Sequence, residues 1–70
     1  MANIQHHTII IKKQEFTYST MPYSGETKCA WTGKTIKDGQ TVFYCSALGI
    51  SNNYSSLSAL KQAIIAAKGL

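Results

Sequence analysis

The sequence predicts an α+β fold in which a small three-stranded antiparallel sheet is packed by one C-terminal helix, in the order βββα. Three observations predict it: runs of β-branched and aromatic residues, an Asp-Gly pair between two such runs, and an apolar stripe at helical spacing near the C-terminus. Seventy residues suffice for one domain. We therefore expect a single small domain over residues 1–70, with residues 1–6 flexible.

The first strand is predicted over residues 7–19, HTIIIKKQEFTYS, because this run is rich in Ile, Thr and aromatic residues. Its alternation of apolar residues is broken, and a bulge near residues 12–14 would bring the apolar residues to one face. Residues 20–26 contain Pro22 and Gly25, which favour a loop.

Two further strands are predicted over residues 27–37 and 40–48, around Asp38-Gly39. Asp-Gly is typical of the type I′ turn, so we expect a two-residue hairpin here. A bulge at Gly33 would unite one apolar face, made of Cys29, Trp31, Ile36, Phe43, Cys45 and Ala47. Trp31 is then expected in the core, and Tyr44 on the opposite face with the lysines.

The helix is predicted to begin at a cap on Ser55 or Ser56, to run to about Lys68 and to stop at Gly69. Its apolar stripe comprises Leu57, Leu60, Ala63, Ile64 and Ala67. The outer face is small and uncharged, with Ser58, Ala59, Gln62 and Ala66. That face is either solvated or the interface of a homodimer.

The charge pattern favours an anionic partner. The net charge is +4, from seven lysines and no arginine against three acidic residues. Because arginine is the usual reader of base edges, sequence-specific reading of nucleic acid is not expected. The apolar run Ile9–Ile11 is too short for a signal peptide or a membrane span, so we expect a cytoplasmic protein with no membrane partner.

The residues that carry chemistry are too few or badly spaced for catalysis or metal binding. Gly33-Lys34-Thr35 resembles the end of a phosphate-binding loop, but residue 28 is lysine where that loop needs glycine. His6, His7, Cys29 and Cys45 lack the spacing of a zinc site. We therefore expect no enzyme, no metal and no cofactor, and leave open whether the two cysteines are thiols, zinc ligands or a disulfide.

The predicted partner-binding residues are Lys28, Lys34, Lys37 and Tyr44, which the hairpin would present on one face. Lysines interleaved with aromatic residues suit both nucleic acid and protein interfaces. Plain solvation of the lysines and protection of the sheet edge against aggregation are the alternative interpretation.

The order βββα resembles that of sheet-reading DNA-binding modules of the integrase N-terminal type, which use arginines absent from this chain. A reading frame of this size is also similar in type to small phage proteins that block host defences, including anti-CRISPR proteins. This resemblance implies a non-enzymatic inhibitor from a phage or mobile element that binds a host protein or nucleoprotein. A weakly specific sheet-based nucleic-acid-binding module and a homodimeric structural module are the alternatives.

Overall fold

The computed structural model describes residues 3–49 and 52–70 and has an α+β architecture. A three-stranded antiparallel sheet has the strand order β1-β2-β5, and a second, two-stranded sheet pairs β3 with β4. The predicted combination of a three-stranded sheet and a C-terminal helix is confirmed. The predicted order βββα is not, because in the described residues five strands in two sheets precede the helix. The elements are β1 (Gln5–Ile11), β2 (Gln14–Pro22), β3 (Thr27–Lys28), β4 (Thr35–Ile36), β5 (Thr41–Tyr44), a 3-10 turn (Ser46–Leu48) and α1 (Leu57–Lys68).

The single first strand predicted over residues 7–19 is in fact a hairpin. Its strands are β1 and β2, with Ile11 opposite Gln14. Lys12 and Lys13 form the turn with φ of 47° and 67°, so both residues are left-handed, as a type I′ turn requires. The predicted bulge is therefore wrong. Neither lysine belongs to the residue types that favour such a turn, which is why the sequence pattern missed it.

The N-terminal part of β1 is held by side-chain bonds to β2. His6 Nδ1 lies 2.8 Å from Ser19 Oγ, and His7 Nε2 lies 3.1 Å from Thr20 Oγ1. The His7 ring also stacks on Tyr18, with ring centroids 5.0 Å apart. We expected residues 1–6 to be flexible. Residues 1–2 lie outside the described residues, whereas residues 5 and 6 belong to β1.

Strand β5 is paired along both of its edges. One edge pairs with β2, where Ser19 is opposite Tyr44. On the other edge Phe43 forms a bridge with Tyr54, through backbone bonds of 2.9 and 2.8 Å. The predicted pairing of residues 27–37 with 40–48 is therefore wrong, since no edge of β5 remains for it.

A turn does form at Asp38-Gly39, but it does not close a hairpin. The Gln40 N–H donates to the Lys37 carbonyl at 3.0 Å, and only Gly39 has positive φ, 85°. A type I′ turn needs positive φ at both central residues, and Asp38 lacks it. The Gly39 N–H donates to the Tyr23 carbonyl at 2.8 Å, so the turn docks on the end of β2 instead.

Gly33 lies in the turn between β3 and β4, not in a strand bulge, so that prediction is also wrong. Its N–H donates to the Cys29 carbonyl at 2.9 Å, and its φ of 77° suits glycine. This turn carries Trp31 outward, 45% exposed, where its Nε1 donates to Gln62 Oε1 at 3.2 Å. The prediction that Trp31 belongs to the core is wrong because the residue sits in a turn.

The helix matches its prediction closely. Ser56 caps it by accepting the Ala59 N–H at 3.2 Å, and Gly69 ends it with φ of 68°. Ala59 is buried although we placed it on the outer face. The buried hydrophobic residues form one cluster: Ile11, Cys29, Ile36, Val42, Cys45, Tyr54, Ala59, Leu60, Ala63 and Ile64. Within the described residues, no helix has both the length and the apolar character needed to cross a membrane.

Candidate binding groove

A surface groove of about 1060 Å³ separates two parts of the chain that are distant in sequence. One wall is formed by residues 32–37, with residues 39–41 and Phe43 continuing it. The other wall is Ser55 and Ser56, immediately before α1. We call this feature the lysine groove, because Lys34 and Lys37 are its charged lining residues in the described part of the chain.

The β3–β4 turn places Lys34 at the groove. The Cys29 N–H donates to the Lys34 carbonyl at 2.8 Å, directly beyond the pairs that Thr27 and Lys28 make with β4. The Lys34 N–H in turn donates to Thr32 Oγ1 at 3.2 Å. Both bonds fix the backbone at Lys34, so the position from which its side chain starts is well defined.

The Asp38-Gly39 turn places Lys37. The Lys37 N–H donates to the Gln40 side-chain oxygen at 2.7 Å, which stabilises the turn across its base. The adjacent carboxylate is engaged elsewhere: Asp38 Oδ1 accepts the Gly25 N–H at 2.8 Å. Lys37 and Gly39 line the groove, whereas Asp38 is not among its lining residues.

The N-terminal end of α1 provides the other wall. Because the first backbone N–H groups of a helix point outward, this end carries a partial positive charge. The first turn of α1 contains no acidic residue. The end is therefore electropositive, and it adds to the charge of the two lysines across the groove.

The thiol of Cys29 joins the two walls from below. Its Sγ accepts the backbone N–H of Thr32 and that of Ser55, each at 3.4 Å. Burial raises the pKa of this thiol, but the hydrogen bonds from Thr32 and Ser55 outweigh burial and lower the pKa from 9.0 to about 6. Cys29 is 3% exposed and lies beneath the groove, where these two N–H groups bond to its sulfur.

The second cysteine has a different environment. Cys45 is buried and donates its Sγ–H to the Thr17 carbonyl at 3.3 Å. Burial raises the pKa of the Tyr54 hydroxyl. Both cysteines are free thiols, so the disulfide that the sequence left open is not formed.

The structure brings together two of the four predicted partner-binding residues. Lys34 and Lys37 both line the groove. Lys28 is exposed and lies opposite Thr35, a lining residue, but is not itself in the lining. Tyr44 is half-buried, and alternation along β5 places it on the opposite face from Phe43, which lines the groove.

Sequence reasoning missed the contribution of Ser55 and Ser56 to this surface. They were identified only as candidate helix caps, although the positive end of a helix without acidic residues is itself a signal for anion binding. No local pattern indicates the N–H bond from Ser55 to Cys29, because the two residues are 26 apart along the chain.

The outer face of α1 contacts Trp31, which the sequence did not indicate. Gln62 accepts the Trp31 indole N–H, and Ala66 lines a hollow of about 460 Å³ together with Trp31. The exposed tryptophan therefore borders the face that we had considered as a dimer interface.

The groove lining offers no acid–base pair: in residues 3–49 and 52–70, its titratable side chains are the two lysines. Across the same described residues, no three His, Cys, Asp or Glu side chains come together where they could hold a metal ion. The described residues form a small α+β fold with a groove that two lysines line. Neither protein-family models, nor curated proteins, nor solved structures give a match to this chain.

Proposed function

We propose that this chain is a non-enzymatic binding protein whose lysine groove takes an acidic surface segment of a host protein or nucleoprotein. We propose further that it is an accessory protein of a phage or mobile element and that it inhibits host nucleic-acid or defence machinery. The observation that carries it is the convergence of Lys34, Lys37 and the N-terminal end of α1 on one groove.

The exposure of the groove supports a macromolecular partner. Most of its lining residues are exposed, including Thr32, Lys34, Thr35 and Lys37. Small-molecule sites typically enclose most of their ligand between apolar side chains, with a few polar groups to orient it. This surface instead offers ammonium groups and hydroxyls, which suit the carboxylates of an extended acidic segment.

The charge balance supports the same partner. At +4, the chain attracts acidic surfaces from a distance. Lys34 and Lys37 would then fix where the acidic segment docks. Lysine acts as a mobile point charge and not as a planar fork, so we expect modest selectivity among acidic sequences.

Nucleic acid is the second candidate, because lysines and a helix N-terminus also hold phosphates. Phe43 is the aromatic residue of the described lining, and it is half-buried. A platform for stacking successive bases would need exposed rings. Any nucleic-acid binding through this groove should therefore be insensitive to sequence and should weaken steeply as salt rises.

Affinity capture from a lysate of the native host, with and without nuclease, tests the proposal. The wild-type chain as bait is compared with Lys34→Gln/Lys37→Gln, the groove variant. The control is Lys61→Gln/Lys68→Gln, which removes an equal amount of positive charge from the helix. Capture that survives nuclease and is lost only in the groove variant supports a protein partner. Capture lost on nuclease treatment favours nucleic acid, and equal capture by both variants contradicts the groove.

A further inference from the structure

We infer that two copies of this chain pair through the outer edge of β1, in antiparallel register about a two-fold axis at His7. This edge, which we call the β1 edge, is the backbone of residues 4–11 on the side away from β2. The resulting sheet would have six strands in the order β5-β2-β1-β1-β2-β5.

The β1 edge is open, whereas the other edge of the same sheet is covered. Tyr54 bridges to Phe43 along the outer side of β5. Strand β1 has one strand neighbour, β2, among the described residues. Exposed edges are normally protected by lysine, proline, a bulge or short length. Strand β1 has seven residues, QHHTIII, and contains no lysine, no acidic residue and no proline.

The register follows from which backbone groups point outward. Ile11 and Gln14 flank the two-residue turn, so the turn bond makes them a hydrogen-bonded pair. Alternation then directs the N–H and C=O of residues 11, 9, 7 and 5 to β2, and those of residues 10, 8, 6 and 4 outward. Pairing between two copies must therefore join even-numbered residues to even-numbered residues.

One such register covers the exposed apolar side chains. Among the described residues, the exposed large hydrophobic side chains are Ile4 at 48%, Ile10 at 68% and Trp31 at 45%. Ile4, the residue before β1, and Ile10 are an even number of residues apart, so extending the alternation of β1 by one residue places both on one face. In one register the numbers of each opposing pair of residues sum to fourteen. Ile4 of each copy then lies beside Ile10 of the other copy, so the dimer contains two such pairs.

The same register avoids charge repulsion, which matters for a chain of net charge +4. All seven lysines lie after Ile11. Opposing residues in this register are Ile4 with Ile10, Gln5 with Ile9, His6 with Thr8, and His7 with itself. No lysine faces another lysine, so the paired copies gain backbone hydrogen bonds without placing lysines across the strands.

Sedimentation equilibrium of the pure chain tests the dimer. Wild type should self-associate to a dimer, and Ile10→Lys should weaken that dimer by more than about tenfold, because the change occurs twice in a two-fold interface. Ala66→Lys adds the same charge on the outer face of α1 and should leave the dimer unchanged. A monomeric wild type, or a dimer sensitive to Ala66→Lys and not to Ile10→Lys, would overturn the inference.

Cross-linking tests the register without relying on a destabilising change. With oxidised glutathione as the electron acceptor, His7→Cys should give a covalent dimer, because residue 7 faces itself at a separation suited to a disulfide. His6→Cys should not, since residue 6 faces residue 8. The double variant Gln5→Cys/Ile9→Cys should also cross-link, and wild type serves as the control for Cys29 and Cys45. Efficient cross-linking of His6→Cys with none of His7→Cys would show that the register is wrong.

Discussion

The backbone N–H of Ser55 donates to the Sγ of Cys29 at 3.4 Å, which ties the residue before the helix cap to the β3–β4 turn. Thr32, on the other wall of the lysine groove, donates to the same sulfur. One buried sulfur therefore bonds to both walls of the groove, alongside the bond of 2.8 Å from the Ala30 N–H to the Asn53 carbonyl, which joins the same two segments.

The ionisation of Cys29 should make stability depend on pH. The folded pKa of about 6 lies below the ordinary 9.0, so the folded chain favours the thiolate more than the unfolded chain does. This contribution is fully present above the unfolded pKa and is lost as pH falls through about 6. The free energy of unfolding should rise between those two pH values.

Urea unfolding at a series of pH values measures this effect. Cys29→Ser keeps an acceptor for the two N–H groups but does not ionise, so its stability should rise less over this range than that of wild type. Identical slopes for wild type and Cys29→Ser would mean that the thiol does not titrate in this range.

Replacing the two lysines of the Lys12-Lys13 turn should stabilise the folded chain. Both residues hold left-handed backbone, at φ of 47° and 67°, which costs about 1–2 kcal/mol for a residue with a side chain. Lys12→Asn/Lys13→Gly supplies the pair that type I′ turns prefer. We expect a gain of about 1 kcal/mol and a Tm raised by roughly 4–8 °C.

Thermal denaturation followed by circular dichroism gives the Tm. Lys12→Gln/Lys13→Gln is the matched control, because it removes the same two charges and leaves the backbone preference unrelieved. A rise of equal size in both variants would assign the gain to charge and not to the turn.

The assigned helix face predicts severe loss of stability on charge insertion. Leu60 and Ile64 are both 0% exposed, and a buried unpaired carboxylate costs several kcal/mol. Leu60→Asp or Ile64→Asp should therefore abolish cooperative thermal unfolding in a chain this small. Ser58→Asp, at an exposed position of the first turn, should leave the transition in place. A cooperative transition near that of wild type in Leu60→Asp would refute the helix face.

The cap at Ser56 should contribute measurably. Its Oγ accepts the Ala59 N–H at 3.2 Å, so Ser56→Ala leaves that donor without its partner. We expect a loss of about 1 kcal/mol in the free energy of unfolding. Ser58→Ala lies two residues further on and gives the baseline, and equal stability of the two variants would show that the cap bond contributes nothing.

The helix could be predicted to within a residue, whereas the strand pairing could not. Ser56, Gly69 and the apolar stripe act locally, so their signals are visible in the sequence. The Asp38-Gly39 pair forms a turn, but the partner of β5 is decided by β2 and Tyr54, which lie far away along the chain. Lysine is not among the residues that favour the left-handed positions of a type I′ turn, so the sequence did not indicate the β1–β2 hairpin.

The groove was predictable only in part for the same reason. Lys34 and Lys37 were identified from their position around the expected hairpin, and they do line one surface. Their approach to Ser55 and Ser56 is a tertiary contact, and no spacing in the sequence encodes it. Tyr44 was assigned to the same surface through a register that the chain does not adopt.

Lys34, Lys37 and the start of α1 should act as one anion-binding surface. Titration of the 15N-labelled chain with a short polyglutamate peptide, followed by amide chemical shifts, measures this. The amides of Lys34, Lys37, Ser55 and Ser56 should shift together along one binding curve, which Lys34→Gln/Lys37→Gln weakens and Lys61→Gln/Lys68→Gln does not. Shifts spread evenly over all lysines, or confined to α1 beyond its first turn, would contradict it.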